Sequence, residues 1–138
     1  MKIFIDANVI VSVLNKEYPL FAFSSRILSL VDNSSYQLYT TPLCLAISFY
    51  FSAKKSGERI AKNKISLIAS HLLLGVVNEE VTQQALDNLQ GNNFEDGLQY
   101  YAAVAADCDL IVTENGQDFH FSKMPVYSCE EFLKTHYK

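Results

Sequence analysis

Short apolar runs and stretches of helical periodicity alternate along the whole chain. Ile3, Phe4 and Ile5 form an uninterrupted apolar run, which is typical of a strand buried on both faces. Further apolar runs predict strands at residues 36–40, 76–77, 110–113 and 125–127. The intervening spacing predicts helices at residues 9–15, 20–31, 43–55, 58–73, 79–89 and 94–106, a turn at 90–93, and a last helix capped by Ser128. This alternation favours a parallel sheet of four to five strands with helices on both faces, in a single domain over residues 1–138.

Two of these helices carry further local signals. Asn8 precedes the apolar run that starts at Val9, and its side chain is suited to cap the first helix. Thr41 and Pro42 are suited to the cap and the first turn of the helix at residues 43–55. Because that helix is nearly all apolar, we expect it to be deeply buried, either against the sheet or in a subunit interface.

The amino-acid composition and net charge restrict the classes of function that this chain could have. Of the 138 residues 49% are hydrophobic and 19% are charged, and the net charge is -4 with a pI of about 5.3. An acidic chain argues against a general DNA-coating protein, but a nuclease that holds phosphates through metal ions is compatible with it. The three cysteines are far apart and odd in number, which favours reduced thiols in a cytoplasmic protein. No apolar stretch is long enough to predict a membrane span.

Acidic residues follow two of the predicted strands and open one predicted helix. Asp6 ends the first strand, and Asn115 and Asp118 follow the fourth. Glu95 and Asp96 open the helix at residues 94–106. Since the carboxyl ends of parallel strands meet at one sheet edge, we expect these side chains to gather there. Converging hard oxygen ligands suit Mg²⁺ or Mn²⁺, which predicts metal-assisted hydrolysis of a phosphodiester.

Each acid also has a purely structural interpretation. Glu95 and Asp96 could stabilise a helix N-terminus capped by Asn93, and Asp118 could cap a short turn. Asp6 could cap the helix that follows it, although a lone carboxylate is seldom kept at a buried strand end.

Three segments together resemble the PIN-domain family, and more closely the small VapC-like toxins of bacterial toxin–antitoxin pairs. The first is Ile3 to Ile10, an apolar run followed by Asp, a small residue and Asn. The second is Phe94 to Tyr100, an acidic motif that opens a helix. The third is Asp109 to Asn115, followed by Asp118 and Phe119. Their order and spacing cover nearly the whole chain.

This resemblance implies a three-layer α/β/α, Rossmann-like fold and an endoribonuclease that uses Mg²⁺ or Mn²⁺. It implies that Asp6, Asp96 and Asp118 hold the metal, with Asn115 completing the ligand shell or positioning the water. Secondary candidates are Asn8, Glu95 and Thr113. It further implies an RNA substrate, a homodimer, and a small antitoxin that covers the cleft.

The chain departs from the family pattern at two acid positions. The family often carries a Glu in the helix after the second strand, where this chain has Ile47. With Asn115 at a further acid position, the set holds three carboxylates and one amide, so an alternative is a PIN-fold binding module with weakened chemistry. A phosphatase with Asp6 as nucleophile would want a second acid at position 8, where Asn8 stands.

A basic cluster lies at the end of the third predicted helix and the start of the fourth. Its members are Lys54, Lys55, Arg59, Lys62 and Lys64. We predict that Lys54, Lys55 and Arg59 contact the RNA backbone; the alternative is a solvated helical face.

Overall fold

A computed structural model of the chain describes residues 1–91 and 93–136. Five strands form one parallel sheet in the order β3-β2-β1-β4-β5. The strands are β1 (Lys2–Ile5), β2 (Gln37–Thr40), β3 (Leu73–Leu74), β4 (Leu110–Val112) and β5 (Val126–Tyr127). The helices are α1 (Ala7–Leu14), α2 (Phe21–Leu28), α3 (Pro42–Ser56), α4 (Glu58–Ala69), α5 (Glu79–Asp87), α6 (Phe94–Ala105) and α7 (Cys129–His136). The predicted three-layer α/β/α fold with a parallel sheet is confirmed.

The centre of the sheet is the most deeply buried part of the molecule. β1 lies between β2 and β4, and its Ile3, Phe4 and Ile5 are fully buried, as are Ile111 and Val112 of β4. The chain places β2 and β3 on one side of β1, and β4 and β5 on the other. The carboxyl ends of β1 and β4 therefore form the crevice where ligands bind in such sheets.

Two predicted boundaries near β3 are wrong. The helix predicted to run to residue 73 ends at Ala69, and the third strand lies at Leu73–Leu74 instead of 76–77. The amides of Ser70 and His71 bond to carbonyls of α4, so the chain turns early. The chain then reaches Tyr39 and Thr40 of β2 three residues sooner than the apolar pattern suggested. The turn predicted at residues 90–93 includes Asn92, which lies outside the described residues.

The predicted deep burial of α3 within the chain is also wrong. Its buried line consists of Cys44, Ser48 and Ser52, whereas Tyr50 and Phe51 are 56% and 46% exposed. Apolar residues are spread around the whole circumference of this helix, and only the small residues fit in its close packing against neighbouring helices. The N-terminus is as predicted, because the Thr41 hydroxyl accepts from the Cys44 amide and Pro42 opens the first turn.

Other helix limits shift less. α2 ends at Leu28 and continues as a 3₁₀ turn over Ser29–Asp32. The Ser128 cap is confirmed, with a 3.1 Å bond from the Glu131 amide to the Ser128 hydroxyl. None of the helices in the described residues combines the length and apolarity needed to cross a bilayer.

Candidate functional site

Asp6 is held by contacts on both carboxylate oxygens. Its Oδ1 accepts a 2.8 Å hydrogen bond from the Ala7 amide and therefore caps α1. Its Oδ2 accepts from the Thr113 hydroxyl at 2.8 Å and from Asn8 Nδ2 at 3.4 Å. The predicted cap of α1 by Asn8 is wrong, because the Asp6 carboxylate reaches the first amide of the helix. Since only two of these bonds are short, the carboxylate keeps lone-pair capacity for a cation.

Asn8 and Thr113 join the end of β4 to Asp6. Asn8 Nδ2 donates to Thr113 Oγ1 at 3.1 Å, and Asn8 Oδ1 accepts from the Glu114 amide at 3.2 Å. The backbone amide of Asn115 donates to Thr113 Oγ1 at 3.1 Å. These bonds fix the orientation of Asp6 and of the loop that carries Asn115.

A fourth contact to Asp6 comes from α3. The Cys44 thiol lies 4.0 Å from Asp6 Oδ1 and donates a weak hydrogen bond to it. Burial, and then the charge of Asp6, raise the pKa of Cys44 to about 12, so the thiol keeps its proton and remains a donor.

A cleft of about 430 Å³ opens above Asp6, and we call it the acidic cleft. It is lined by Asp6, Ala7, Asn8, Val11, Glu17, Ile47, Phe51, Asn93, Glu95, Asp96, Gln99, Asn115 and Asp118. The structure thus brings together all four predicted site residues, along with Asn8 and Glu95, while Thr113 is buried behind Asp6.

The acids of α6 reach the acidic cleft from the first turn of that helix. Asn93 Oδ1 accepts from the amides of Glu95 and Asp96 at 2.8 and 3.3 Å. The interpretation of Asn93 as the cap of α6 is therefore confirmed. The cap bonds to the backbone amide of Asp96, so the Asp96 carboxylate is left to face the cleft. Asp118 lies in the 3₁₀ turn Gly116–Phe119 that follows β4.

Negative charge accumulates in the acidic cleft. Burial, followed by the charges of Asp118, Asp6 and Glu95, raises the pKa of Asp96 to about 7. Burial also raises the pKa of Asp6, against the lowering effect of its bonds from Thr113 and Ala7. None of the described residues that line the cleft is basic. A divalent cation bound there would supply positive charge and would compete with protons for the carboxylates of Asp6 and Asp96.

The chemistry of the donors fits Mg²⁺ or Mn²⁺, because carboxylate and amide oxygens are the ligands these ions prefer. The side chains do not form a complete metal-coordination shell. Within residues 1–91 and 93–136, no three His, Cys, Asp or Glu side chains lie close enough to form a ready-made metal site. Ile47 is half-buried in the cleft wall and offers no ligand there.

The predicted RNA-binding residues lie outside the acidic cleft, and one of them makes a structural contact. The Lys55 ammonium group donates to the carbonyl of Asn15, the C-terminal cap of α1. Lys64 Nζ donates to the Leu14 carbonyl at 3.1 Å. The ammonium of Lys54 lies 5.1 Å from the centre of the Tyr50 ring, and Arg59 lies on a groove between α3 and α4.

Sequence reasoning missed two polar residues of the acidic cleft. Glu17 reaches it from the loop after α1, whose path no local pattern indicates. Gln99 lies three residues after Asp96 in α6, and that helical spacing was the available signal.

Comparison with known proteins identifies the family. The sequence model of the PIN domain matches residues 2–117. This chain belongs to the PIN-domain family. It is 26% identical over 137 residues to Ribonuclease VapC1 of Aquifex aeolicus (strain VF5), a match that spans 96% of this chain and 94% of that protein.

Solved structures of VapC proteins have the same fold as this PIN domain. VapBC-1 from nontypeable Haemophilus influenzae superposes with a TM-score of 0.69 at 15% identity, covering 94% of this chain and 99% of that one. VapBC2 from Rickettsia felis, bound to a DNA fragment from its promoter, gives 0.68 at 18%, with coverage of 93% and 98%. Mycobacterium tuberculosis VapC20, a toxin that cleaves the sarcin–ricin loop, gives 0.64 at 14%, with coverage of 79% and 86%.

Proposed function

We propose that this PIN-domain protein is a metal-dependent endoribonuclease that hydrolyses RNA phosphodiester bonds. The observation that carries the proposal is the acidic cleft, where Asp6, Asp96 and Asp118 come from three separate segments and face no basic residue among those described. Such a cleft would repel a phosphodiester unless a cation occupied it. The similarity to Ribonuclease VapC1 over almost the full length of both chains supports the same class of reaction.

Asp6, Asp96 and Asp118 would hold Mg²⁺ or Mn²⁺, and the Asn115 amide oxygen would complete the shell or orient the attacking water. When bound, the ion lowers the pKa of a water and neutralises the charge that develops on the phosphate. Thr113 and Asn8 keep Asp6 in one orientation through their bonds to its Oδ2. Burial and neighbouring carboxylates raise the pKa of Asp96 to about 7, and a bound cation would favour its ionised form.

The likeness to VapC proteins supports a role as the toxin of a toxin–antitoxin pair in the cytoplasm. In this role a small antitoxin would cover the acidic cleft, and the toxin would form a homodimer. Expression of the chain alone should arrest growth of a bacterial host, and co-expression of the protein from a neighbouring reading frame should restore it. Light scattering of the purified chain tests the dimer.

One observation favours a second candidate, a PIN-fold binding module without nuclease activity. Ile47 lines the cleft where the family often has an acid, and this leaves fewer charged ligands for the cation. Under this hypothesis the chain would bind RNA or a partner protein but would not cleave RNA.

Cleavage of a mixed RNA substrate in the presence of Mn²⁺, Mg²⁺ or EDTA separates the two candidates. We expect cleavage with either ion, none with EDTA, and a loss of at least about 100-fold in Asp6→Asn and Asp96→Asn. Asp87→Asn is a matched control, because Asp87 is exposed on α5 and its carboxylate accepts a hydrogen bond from Gln83, outside the acidic cleft. Failure of Mn²⁺ to raise the melting temperature or support cleavage, with Asp6→Asn unchanged from wild type, would refute the nuclease.

A further inference from the structure

Gln99 is a buried amide in the wall of the acidic cleft. It lies in α6, is 2% exposed, and lines the cleft beside Asp96. Its Oε1 accepts a 2.6 Å hydrogen bond from the Thr41 hydroxyl. Its Nε2 is buried and has no hydrogen-bond partner among the described residues. A buried donor without a partner is unfavourable, so its presence at this position requires an explanation.

Thr41 fixes which end of the amide faces away from it. The Thr41 oxygen already accepts from the Cys44 amide at 3.1 Å, as the cap of α3. The Thr41 proton is therefore available to an acceptor, and Gln99 Oε1 is that acceptor. If the amide were turned over, two donors would point at the Thr41 oxygen and the buried hydroxyl proton would have no acceptor. The free Nε2 therefore points away from Thr41.

An acceptor without a donor lies one turn earlier in the same helix. The Asp96 carboxylate lines the acidic cleft and receives no hydrogen bond within residues 1–91 and 93–136. Residues three apart are neighbours on a helix surface, and long side chains lean towards the helix N-terminus. The Gln99 amide is thus placed on the Asp96 side of α6.

We propose that Gln99 is a positioning residue for Asp96. Its Nε2 donates a hydrogen bond to one Asp96 oxygen when a divalent cation binds, so that the other oxygen faces the cation. This inference rests on the proposed metal site. Ile47 leaves the cleft short of one charged ligand, and a fixed donor behind Asp96 improves the alignment of a carboxylate that remains.

Mn²⁺ binding to a Gln99→Met variant tests the proposal. We expect isothermal titration to give a dissociation constant about tenfold or more above wild type, as for other residues that orient metal ligands. The melting temperature in EDTA should change little, because removal of the unpaired Nε2 donor offsets the loss of the acceptor for the Thr41 hydroxyl. RNA cleavage should recover at saturating Mn²⁺, which a general structural defect would not allow.

Gln83→Met is the matched control. Gln83 donates a 2.9 Å hydrogen bond to Asp87 on the same helix, but it is exposed on α5. We expect its Mn²⁺ affinity to equal that of wild type. Equal affinity in Gln99→Met would overturn the proposal.

A crystal structure of the wild-type protein with Mn²⁺ gives a second test that needs no variant to fold. We expect Gln99 Nε2 within about 3.2 Å of an Asp96 oxygen. An amide oxygen turned towards the ion, or a nitrogen bonded elsewhere, would overturn the positioning role and leave the nuclease proposal intact. A wild-type protein that neither binds Mn²⁺ nor cleaves RNA would instead refute the proposed function on which this inference rests.

Discussion

The Thr113 hydroxyl donates a 2.8 Å hydrogen bond to Asp6 Oδ2. The two residues are 107 apart in sequence and meet because β1 and β4 are neighbours in the sheet. The bond lies on the opposite oxygen from the helix-capping bond of Asp6. Asp6 is therefore oriented by the fold itself before any cation binds.

Thr113→Val should weaken both the fold and the site. The change removes the buried donor to the Asp6 carboxylate. It also leaves Asn8 Nδ2 and the backbone amide of Asn115 without the acceptor that they share, Thr113 Oγ1. We expect the free energy of unfolding to fall by about 1–3 kcal/mol, measured by urea denaturation. Thr113→Ser keeps the hydroxyl and should retain wild-type Mn²⁺ affinity; an equal loss of affinity in both variants would contradict the role assigned to the hydroxyl.

Stability in EDTA should depend on pH through Asp96. Folding raises the pKa of this carboxyl group from 3.8 to about 7. The folded state therefore binds the proton more tightly, and the resulting stabilisation is complete below about pH 4 and is lost as the pH rises through about 7. We expect the melting temperature of Asp96→Asn to match wild type at low pH and to exceed it near pH 8. A constant difference across this range would contradict the assignment.

Mn²⁺ affinity should change in the opposite sense with pH. The cation needs ionised ligands, so binding releases the Asp96 proton and becomes tighter between about pH 6 and pH 8. Isothermal titration in buffers of different ionisation enthalpy measures that proton release directly. Absence of proton release near pH 6 would mean that Asp96 is already ionised there.

Ile47→Glu should strengthen metal binding and weaken the metal-free fold. The new carboxylate would join Asp6 and Asp96 in the acidic cleft, so Mn²⁺ affinity should rise about tenfold or more as ligand charge increases. The melting temperature in EDTA should fall because like charges accumulate. Ile47→Gln, of similar size but uncharged, should show neither effect; if both variants bind Mn²⁺ as wild type does, Ile47 is not at a ligand position.

Lys55→Gln should destabilise the protein through α1. Lys55 and Lys64 bond to carbonyls at the C-terminus of that helix, where positive charge is favourable. We expect a loss of about 0.5–2 kcal/mol in the free energy of unfolding. Exposed Lys62 lies on the groove between α3 and α4, and its change to Gln should leave stability unaltered.

The predicted RNA contacts of Lys54 and Arg59 have a separate signature. Each change to Gln should lower RNA affinity and reduce the slope of log affinity against log salt by about 0.7 for single-stranded RNA. Lys134→Gln removes an exposed lysine paired with Glu130 on α7 and serves as the control. Unchanged slopes for Lys54 and Arg59 would assign them to a solvated helical face.

Much of the fold and the candidate site could be predicted from local sequence patterns. The run Ile3 to Ile5 is strongly apolar, and its central position in the sheet leaves it no exposed face. Once such strands are parallel, the gathering of Asp6, Asn115 and Asp118 at one edge follows from topology.

The errors concern features that long-range contacts decide. Asp6 and Asn8 are both good capping residues, and the bond from Thr113 helps to keep Asp6 in the capping position. The edge strand Leu73–Leu74 is exposed and two residues long, so no periodicity marks it. The unpaired amide of Gln99 is defined by Thr41, a residue 58 positions away.

Side chains of opposite charge stabilise the two ends of α1. Asp6 caps its N-terminus at the floor of the acidic cleft, while Lys55 and Lys64 bind its C-terminal carbonyls. Each end of a helix macrodipole is equivalent to roughly half an elementary charge. The cleft thus contains a fixed partial positive charge at its base, supplied by peptide units and independent of pH. In a cleft that its side chains make strongly anionic, the amides of α1 therefore offset part of the charge of Asp6.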